Sequence, residues 1–199
     1  MKTPQQKKNQ RLILLIFSMT FIPFLIAWYF RENPASLTAH TNHGELIIPP
    51  ITTQPLNFVG FDTFSRDNMK ELPGHWVLMN IIPGTECAPV CLDALHKTKQ
   101  LILMMNKDLT RMRRVAVLLN EATPETAETW WHEDTRLLRA RADADLVQKL
   151  NTIRKSNVPD GLLLLMDPLG NLMMQYEPGF DPYKVKDDLR KLLMTSQIG

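Results

Sequence analysis

The sequence predicts an α/β domain, a mixed sheet flanked by helices, preceded by one N-terminal transmembrane helix. Three observations predict it. Residues 12–30 (LILLIFSMTFIPFLIAWYF) contain no charged side chain, and a helix needs ~20 such residues to cross a bilayer. Behind this segment, short apolar runs alternate with stretches of helical period, the pattern of strands covered by helices. Late in the chain, two apolar runs flank Asp167-Pro168-Leu169-Gly170. Those four residues suit a hairpin turn, so the sheet holds antiparallel as well as parallel strands.

The elements follow in order. Lys2, Lys7, Lys8 and Arg11 precede the apolar segment, with no acidic residue among them, while Arg31 and Glu32 cancel behind it. The positive-inside rule then places residues 1–11 in the cytoplasm as a short tip, 12–30 as the anchor, and the rest outside. Trp28 and Tyr29 at the outer end suit the headgroup level, and Pro23 is tolerated inside a membrane helix. A cleaved export signal would share the basic start. The core of such a signal is about 7–15 residues, shorter than this run, which moreover ends in bulky Trp28-Tyr29-Phe30. Both readings export the domain.

Residues 31–55 are rich in Pro, Thr and Asn and read as a tether and irregular segment. It contains a short edge strand from Gly44 that ends at Pro49-Pro50. The folded domain occupies residues 56–199. Residues 60–64 are expected as another short strand. Residues 75–82 (HWVLMNII) are apolar almost throughout, as a central strand covered on both faces would be. A helix is expected from Cys87 or Pro89 to about Asn106, with Leu92, Leu95, Thr98 and Ile102 on its inner face. A second strand follows at 115–119, with Arg111, Arg113 and Arg114 as a solvated face before it. Residues 124–132 form a short helix capped by Thr123 with Pro124 at its first position, and 135–140 a third strand. Asp143 or Asp145 caps a helix reaching about Lys155. Strands at 162–166 and 172–176 make the hairpin, and Asp181 caps the closing helix to about Met194.

The whole chain carries a formal net charge of +2. That basicity belongs to the tip, because the residues after Arg31 carry 18 basic and 21 acidic side chains. No basic stripe interleaves with aromatics, which argues against nucleic acid as a partner. There are 2 cysteines, too few for a disulfide-stapled scaffold, in a domain large enough not to need one.

Those cysteines, Cys87 and Cys91, are the candidate site. They lie four residues apart where a strand passes into a helix. Helix N-termini stabilise a thiolate through unpaired N–H groups and the helix dipole. One helical turn brings both thiols to one face, within reach of a disulfide. Such a pair can exchange its disulfide, brace the loop, or hold Cu(I), a soft ion. Cu(I) calls for a further ligand. His43 and His132 are the candidates among the 5 histidines, and methionine is a second possibility. Trp130-Trp131 is expected to bury against the sheet, with a recognition patch as the alternative. Pro159 precedes the late strand, and trans is the expected state of its peptide bond.

This arrangement resembles the thioredoxin-like superfamily, and within it the Sco/SenC group of membrane-anchored proteins. The shared marks are the single anchor, the strand at 75–82, Cys87-x3-Cys91 at the following helix, and the late strand-turn-strand LLLLMDPLGNLMMQY. The carboxyl end is also similar to short membrane proteins found with bacterial cytochrome oxidase genes. The resemblance implies a thioredoxin-like mixed sheet and a role in cytochrome c oxidase assembly. It implies a single-pass protein of the bacterial inner membrane with its main domain in the periplasm. Its partners would be an oxidase subunit or its assembly factors, and a periplasmic thiol reductant. In the Sco group a histidine just before the late strand completes a copper site. Here that stretch, Asn157-Val158-Pro159-Asp160-Gly161, holds none. Three functions stay open: thiol–disulfide exchange by Cys87 and Cys91, Cu(I) delivery by the two sulfurs with an unusual third ligand such as His132, and a non-catalytic assembly scaffold.

Overall fold

A computed structural model describes residues 4–33, 41–131, 134–155, 157–196 and 198. The chain divides into two compact units, Met1–Thr41 and Asn42–Gly199.

The first unit contains helix α1, Pro4–Glu32. It is long and apolar enough to cross a membrane. Its apolar side chains are exposed all round, from Leu12 to Tyr29, as suits a helix whose surroundings are lipid rather than protein. Ser18 and Thr20 satisfy their hydroxyls within the helix: Ser18 donates to the Leu15 carbonyl at 2.9 Å and Thr20 to that of Ile16 at 3.0 Å. Hydrocarbon offers no other partner.

The second unit holds strands β1 (Glu45–Thr52), β2 (Phe58–Gly60), β3 (Trp76–Ile82), β4 (Met112–Leu118), β5 (Leu138–Ala142), β6 (Leu163–Met166) and β7 (Asn171–Tyr176). Its helices are α2 (Thr63–Asn68), α3 (Pro89–Met104), α4 (Pro124–Glu128), α5 (Ala144–Ile153) and α6 (Pro182–Thr195). One seven-stranded sheet runs β1-β7-β6-β3-β4-β5-β2. The pairs β3–β4 and β4–β5 are parallel and the others antiparallel. This is the expected mixed sheet flanked by helices.

β3 lies at the centre and every one of its residues is buried. Val77, Met79 and Ile81 point into one core with Leu146 and Leu150 of α5. Trp76 and Leu78 point into the other, with Ala94 and Leu101 of α3 and Val185, Leu189 and Leu193 of α6. Alternate burial on two faces explains why the strand reads as unbroken apolarity. Each such side chain contributes about 1.5–3 kcal/mol. Asp143 and Asp181 cap α5 and α6, accepting from the Leu146 and Tyr183 N–H groups, and Thr123 caps α4 from Thr126.

Five local expectations are corrected. β1 runs through Pro49-Pro50 instead of ending there, because it is an edge strand whose ladder to β7 shifts register between Leu46 and Ile51. Residues 60–64 are not a strand: β2 stops at Gly60, and Asp62 caps α2 by accepting from the Ser65 N–H at 2.7 Å. β4 begins at Met112, so Arg113 and Arg114 are strand residues, and Arg114 is buried at 6 % exposure. The inner face of α3 is Cys91, Ala94, Leu95, Thr98 and Leu101, while Leu92 is 41 % exposed. The third strand also lies later than expected, at Leu138–Ala142.

The start of this unit is fastened by one side chain. Asp188 of α6 accepts from the His43 and Gly44 N–H groups at 2.8 and 3.0 Å and from the Tyr176 hydroxyl at 3.2 Å. Burial, then the Asp188 charge, push the Tyr176 pKa above its ordinary value.

Candidate functional site

β3 delivers the chain to Pro83-Gly84-Thr85-Glu86, and Cys87 follows. Ala88, in an extended conformation, is the N-cap of α3, and Pro89 opens the helix. Pro suits this position because its missing N–H would have had no helical partner. The Cys91 and Leu92 N–H groups donate back to the Ala88 carbonyl at 2.9 and 3.1 Å. Cys91 is thereby turned under the loop toward Cys87. The two are joined as a disulfide with their Cα atoms 5.3 Å apart, inside the range that a disulfide spans.

Cys87 is 8 % exposed and Cys91 1 %. The pair packs with Ile82, Leu95, Leu118, Ala122, Ala127 and Trp131. Trp131 is buried and Trp130 half-buried at its edge. The Trp131 ring has Phe61 at 5.8 Å and the Arg139 guanidinium at 5.3 Å.

A residue that sequence reasoning passed over stands against this turn. Asp160 Oδ2 accepts from the Ala88 N–H at 2.8 Å, the amide of the peptide bond that joins Cys87 to Ala88. Asp160 Oδ1 is buried without a hydrogen-bond partner. Burial pushes the Asp160 carboxyl above its ordinary value, against the opposing effect of the backbone N–H groups of Ala88 and Gly161. Gly161 is what allows the approach. Its φ is +82°, and a Cβ there would lie 2.9 Å from the Val90 carbonyl oxygen, so a side chain is excluded on both counts. In sequence the only hint was the pair Asp160-Gly161 before a strand, which reads as a turn. Pro159 is trans, since the cis peptide bond among the described residues is Ile48–Pro49.

Behind the pair, the middle of α3 is held by a second polar group. Asn80 of β3 donates to the Thr98 hydroxyl oxygen at 3.1 Å. Arg114 of β4 donates to the Leu95 carbonyl at 2.9 Å and to Asp134 Oδ2 at 2.8 Å. Burial lowers the pKa of Arg114, and the Asp134 charge offsets part of this. The expected solvated arginine is thus an internal tie between helix, sheet and the loop after Trp131.

The described histidines, His43, His75 and His96, are not gathered at the cysteines. His96 is exposed, with Nε2 2.9 Å from Gln100 Nε2. His75 is half-buried and approaches the Pro73 carbonyl. His43 is exposed where β1 begins. His132 lies outside the described residues. Among the described residues no three His, Cys, Asp or Glu side chains are grouped to hold a metal. A groove of about 700 Å³ lined by Phe64, Ile102, Leu103, Arg113 and Arg136 includes neither cysteine.

Residues 76–196 match the family described as transmembrane-like, thioredoxin-like, C-terminal domain. Among solved structures, apo Sco1 from Thermus thermophilus superposes with a TM-score of 0.53 at 16 % identity, covering 78 % of this chain and 99 % of that one. Yeast Sco1 with copper bound superposes with a TM-score of 0.50 at 15 % identity, covering 64 % of this chain and 83 % of that one. At these identities the likeness is one of fold. No curated protein matches the sequence.

Proposed function

This chain belongs to the transmembrane-like, thioredoxin-like C-terminal domain family, and from that premise we propose that it is a membrane-anchored protein of cytochrome c oxidase assembly acting by thiol–disulfide exchange through Cys87 and Cys91. The observation that carries this reading is the disulfide placed on the first turn of α3. The positive-inside pattern supports an inner-membrane anchor with residues 1–11 in the cytoplasm and the domain in the periplasm. A cysteine-bearing copper site on an oxidase subunit is the proposed partner, and the fold likeness to Sco1 supports that choice.

The exchange is written on the more exposed sulfur. A thiolate of a partner dithiol attacks Cys87 Sγ, and a mixed disulfide forms. The Cys87–Cys91 bond breaks, its electron pair leaves on Cys91 Sγ, and that sulfur takes a proton from solvent. The partner's second thiol then attacks the partner's own sulfur in the mixed disulfide and frees Cys87. The partner ends oxidised and the cysteine pair reduced. The reverse sequence oxidises the pair: Cys91 resolves a mixed disulfide held at Cys87. Access fits these roles, because 8 % against 1 % exposure leaves Cys87 as the sulfur that a partner reaches.

The test uses the full chain in detergent, with Cys87→Ser and Cys91→Ser beside it. Equilibration with a protein dithiol should reduce the pair, and Cys91→Ser should trap a mixed disulfide at Cys87. A pair that stays oxidised against every protein dithiol would remove the exchange reading and leave a scaffold with a bracing disulfide. Titration of the reduced chain with Cu(I) against a competing chelator completes the test. One tight equivalent abolished by both substitutions would replace exchange by copper delivery, with His132 the first third ligand to substitute.

A further inference from the structure

Asp160 is an unusual neighbour for a cysteine pair. Of its two oxygens, one is fixed on the Cys87–Ala88 peptide at 2.8 Å. The other is buried with no hydrogen-bond partner, a state that is costly for a polar group and more so for a charged one. Among the described residues, the hydrogen bond to this carboxyl comes from the Ala88 N–H and not from a lysine or arginine. The close approach is built in, because Gly161 lets its loop press on the Val90–Cys91 peptide. A carboxyl that only held the turn would need one acceptor oxygen. This one also brings an uncompensated negative charge to the place where opening the disulfide creates another.

We propose that Asp160 is a positioning residue of the cysteine pair, which holds the Cys87–Ala88 peptide and by its charge makes the opened, thiolate form less favourable. This rests on the exchange reading above and adds to it what sets the direction of exchange. When a partner thiolate opens the bond, the electron pair arriving on Cys91 Sγ meets the Asp160 field, so the thiolate is protonated by solvent rather than stored. Helix α3 pulls the other way, since its N-terminus favours a thiolate. The carboxylate offsets that pull and keeps the pair on the oxidised side. The same field disfavours two adjacent thiolates, the state that binding of a soft cation needs.

The experiment compares wild-type full chain in detergent with Asp160→Asn, Asp160→Glu and Asp160→Ala. Asn keeps an oxygen for the Ala88 N–H and loses the charge. Glu keeps the charge. Two readouts are taken: the rate of alkylation of the chemically reduced thiols across pH, and the fraction reduced in a series of dithiol buffers. The Asn variant should show its thiolate profile shifted to lower pH by about one unit, hence about tenfold faster alkylation below the transition, and a larger reduced fraction in every buffer. The Glu variant should keep the wild-type profile. Asn and wild type coinciding in both readouts would overturn the proposal, and so would Asn and Glu shifting alike, because shape rather than charge would then be acting. The alkylation profile needs no protein partner. A shifted profile in a protein that no dithiol reduces would leave this inference standing and remove the exchange reading.

Discussion

Asp134 and Asp160 are both carboxylates brought to helix α3 from later parts of the chain, and they end in different states. Asp134 meets Arg114 at 2.8 Å, and Arg114 in turn meets the Leu95 carbonyl. Asp160 meets a single backbone N–H from the turn it faces and keeps one oxygen unpaired. The first arrangement ties a helix to a sheet with opposite charges. The second places a charge without its opposite beside a bond that can break. A buried pair tolerates no loss of a member, whereas an unpaired carboxyl is tuned by what it faces. The structural tie and the proposed exchange site therefore occupy successive turns of the same helix.

The comparison breaks most plainly at Arg114. Arg114→Ala leaves Asp134 buried without its partner and the Leu95 carbonyl short of a donor. Loss of a buried partner costs about 3–5 kcal/mol, read as a shifted midpoint in urea. A loss below about 1 kcal/mol would mean that water replaces the guanidinium and that the tie is not structural.

Reducing the Cys87–Cys91 bond should cost less. The loop it closes is short, so the chain-entropy estimate is about 2 kcal/mol. Unfolding with and without reductant measures it. A cost like that of Arg114→Ala would mark the disulfide as a brace and weaken the contrast between the two turns.

Asp160 should reveal itself through pH. Its folded-state pKa is raised by burial, so the folded chain binds the proton more tightly than the unfolded chain does. The stability this gives is fully present below the ordinary carboxyl value and is lost as pH rises through the raised one. Wild type should therefore lose stability across that acid window relative to Asp160→Asn, with no further divergence above it. Thermal unfolding midpoints of the two chains from pH 3 to neutrality give the curve, and parallel curves would remove the unpaired carboxyl from the account. The smallest effect is expected at Arg113, the neighbour of Arg114 on β4. It pairs with Glu71 at 2.8 Å near the surface, and Glu71→Gln should change stability by less than about 1 kcal/mol.

What the sequence made legible follows from distance along the chain. β3, the hairpin at Asp167–Gly170 and the caps Thr123, Asp143 and Asp181 depend on neighbours a few residues away, and all are found. The apolar helix α1 is visible for the same reason. Arg114 was misread because an arginine in an apolar strand signals solvent until its partner is known, and Asp134 lies 20 residues on. Asp160 was missed because its partner, Ala88, is 72 residues back. The face of α3 was misassigned at Leu92, where the helical period alone does not say which side meets the sheet. Spacing located the cysteines, but not the carboxyl that faces them.

The strand order carries a consequence for synthesis. β1, the first strand to leave the ribosome, pairs with β7, so that Glu45 sits beside Gln175 and Thr52 beside Asn171. β6 and β7 likewise join the parallel core of β3, β4 and β5 only at the end of the chain. The sheet edge, and the Asp188 clamp on residues 43 and 44, wait for the last segment to appear. Contacts this distant form slowly. The sheet therefore cannot close, and residues 43–52 cannot take their place in it, until translation is nearly complete.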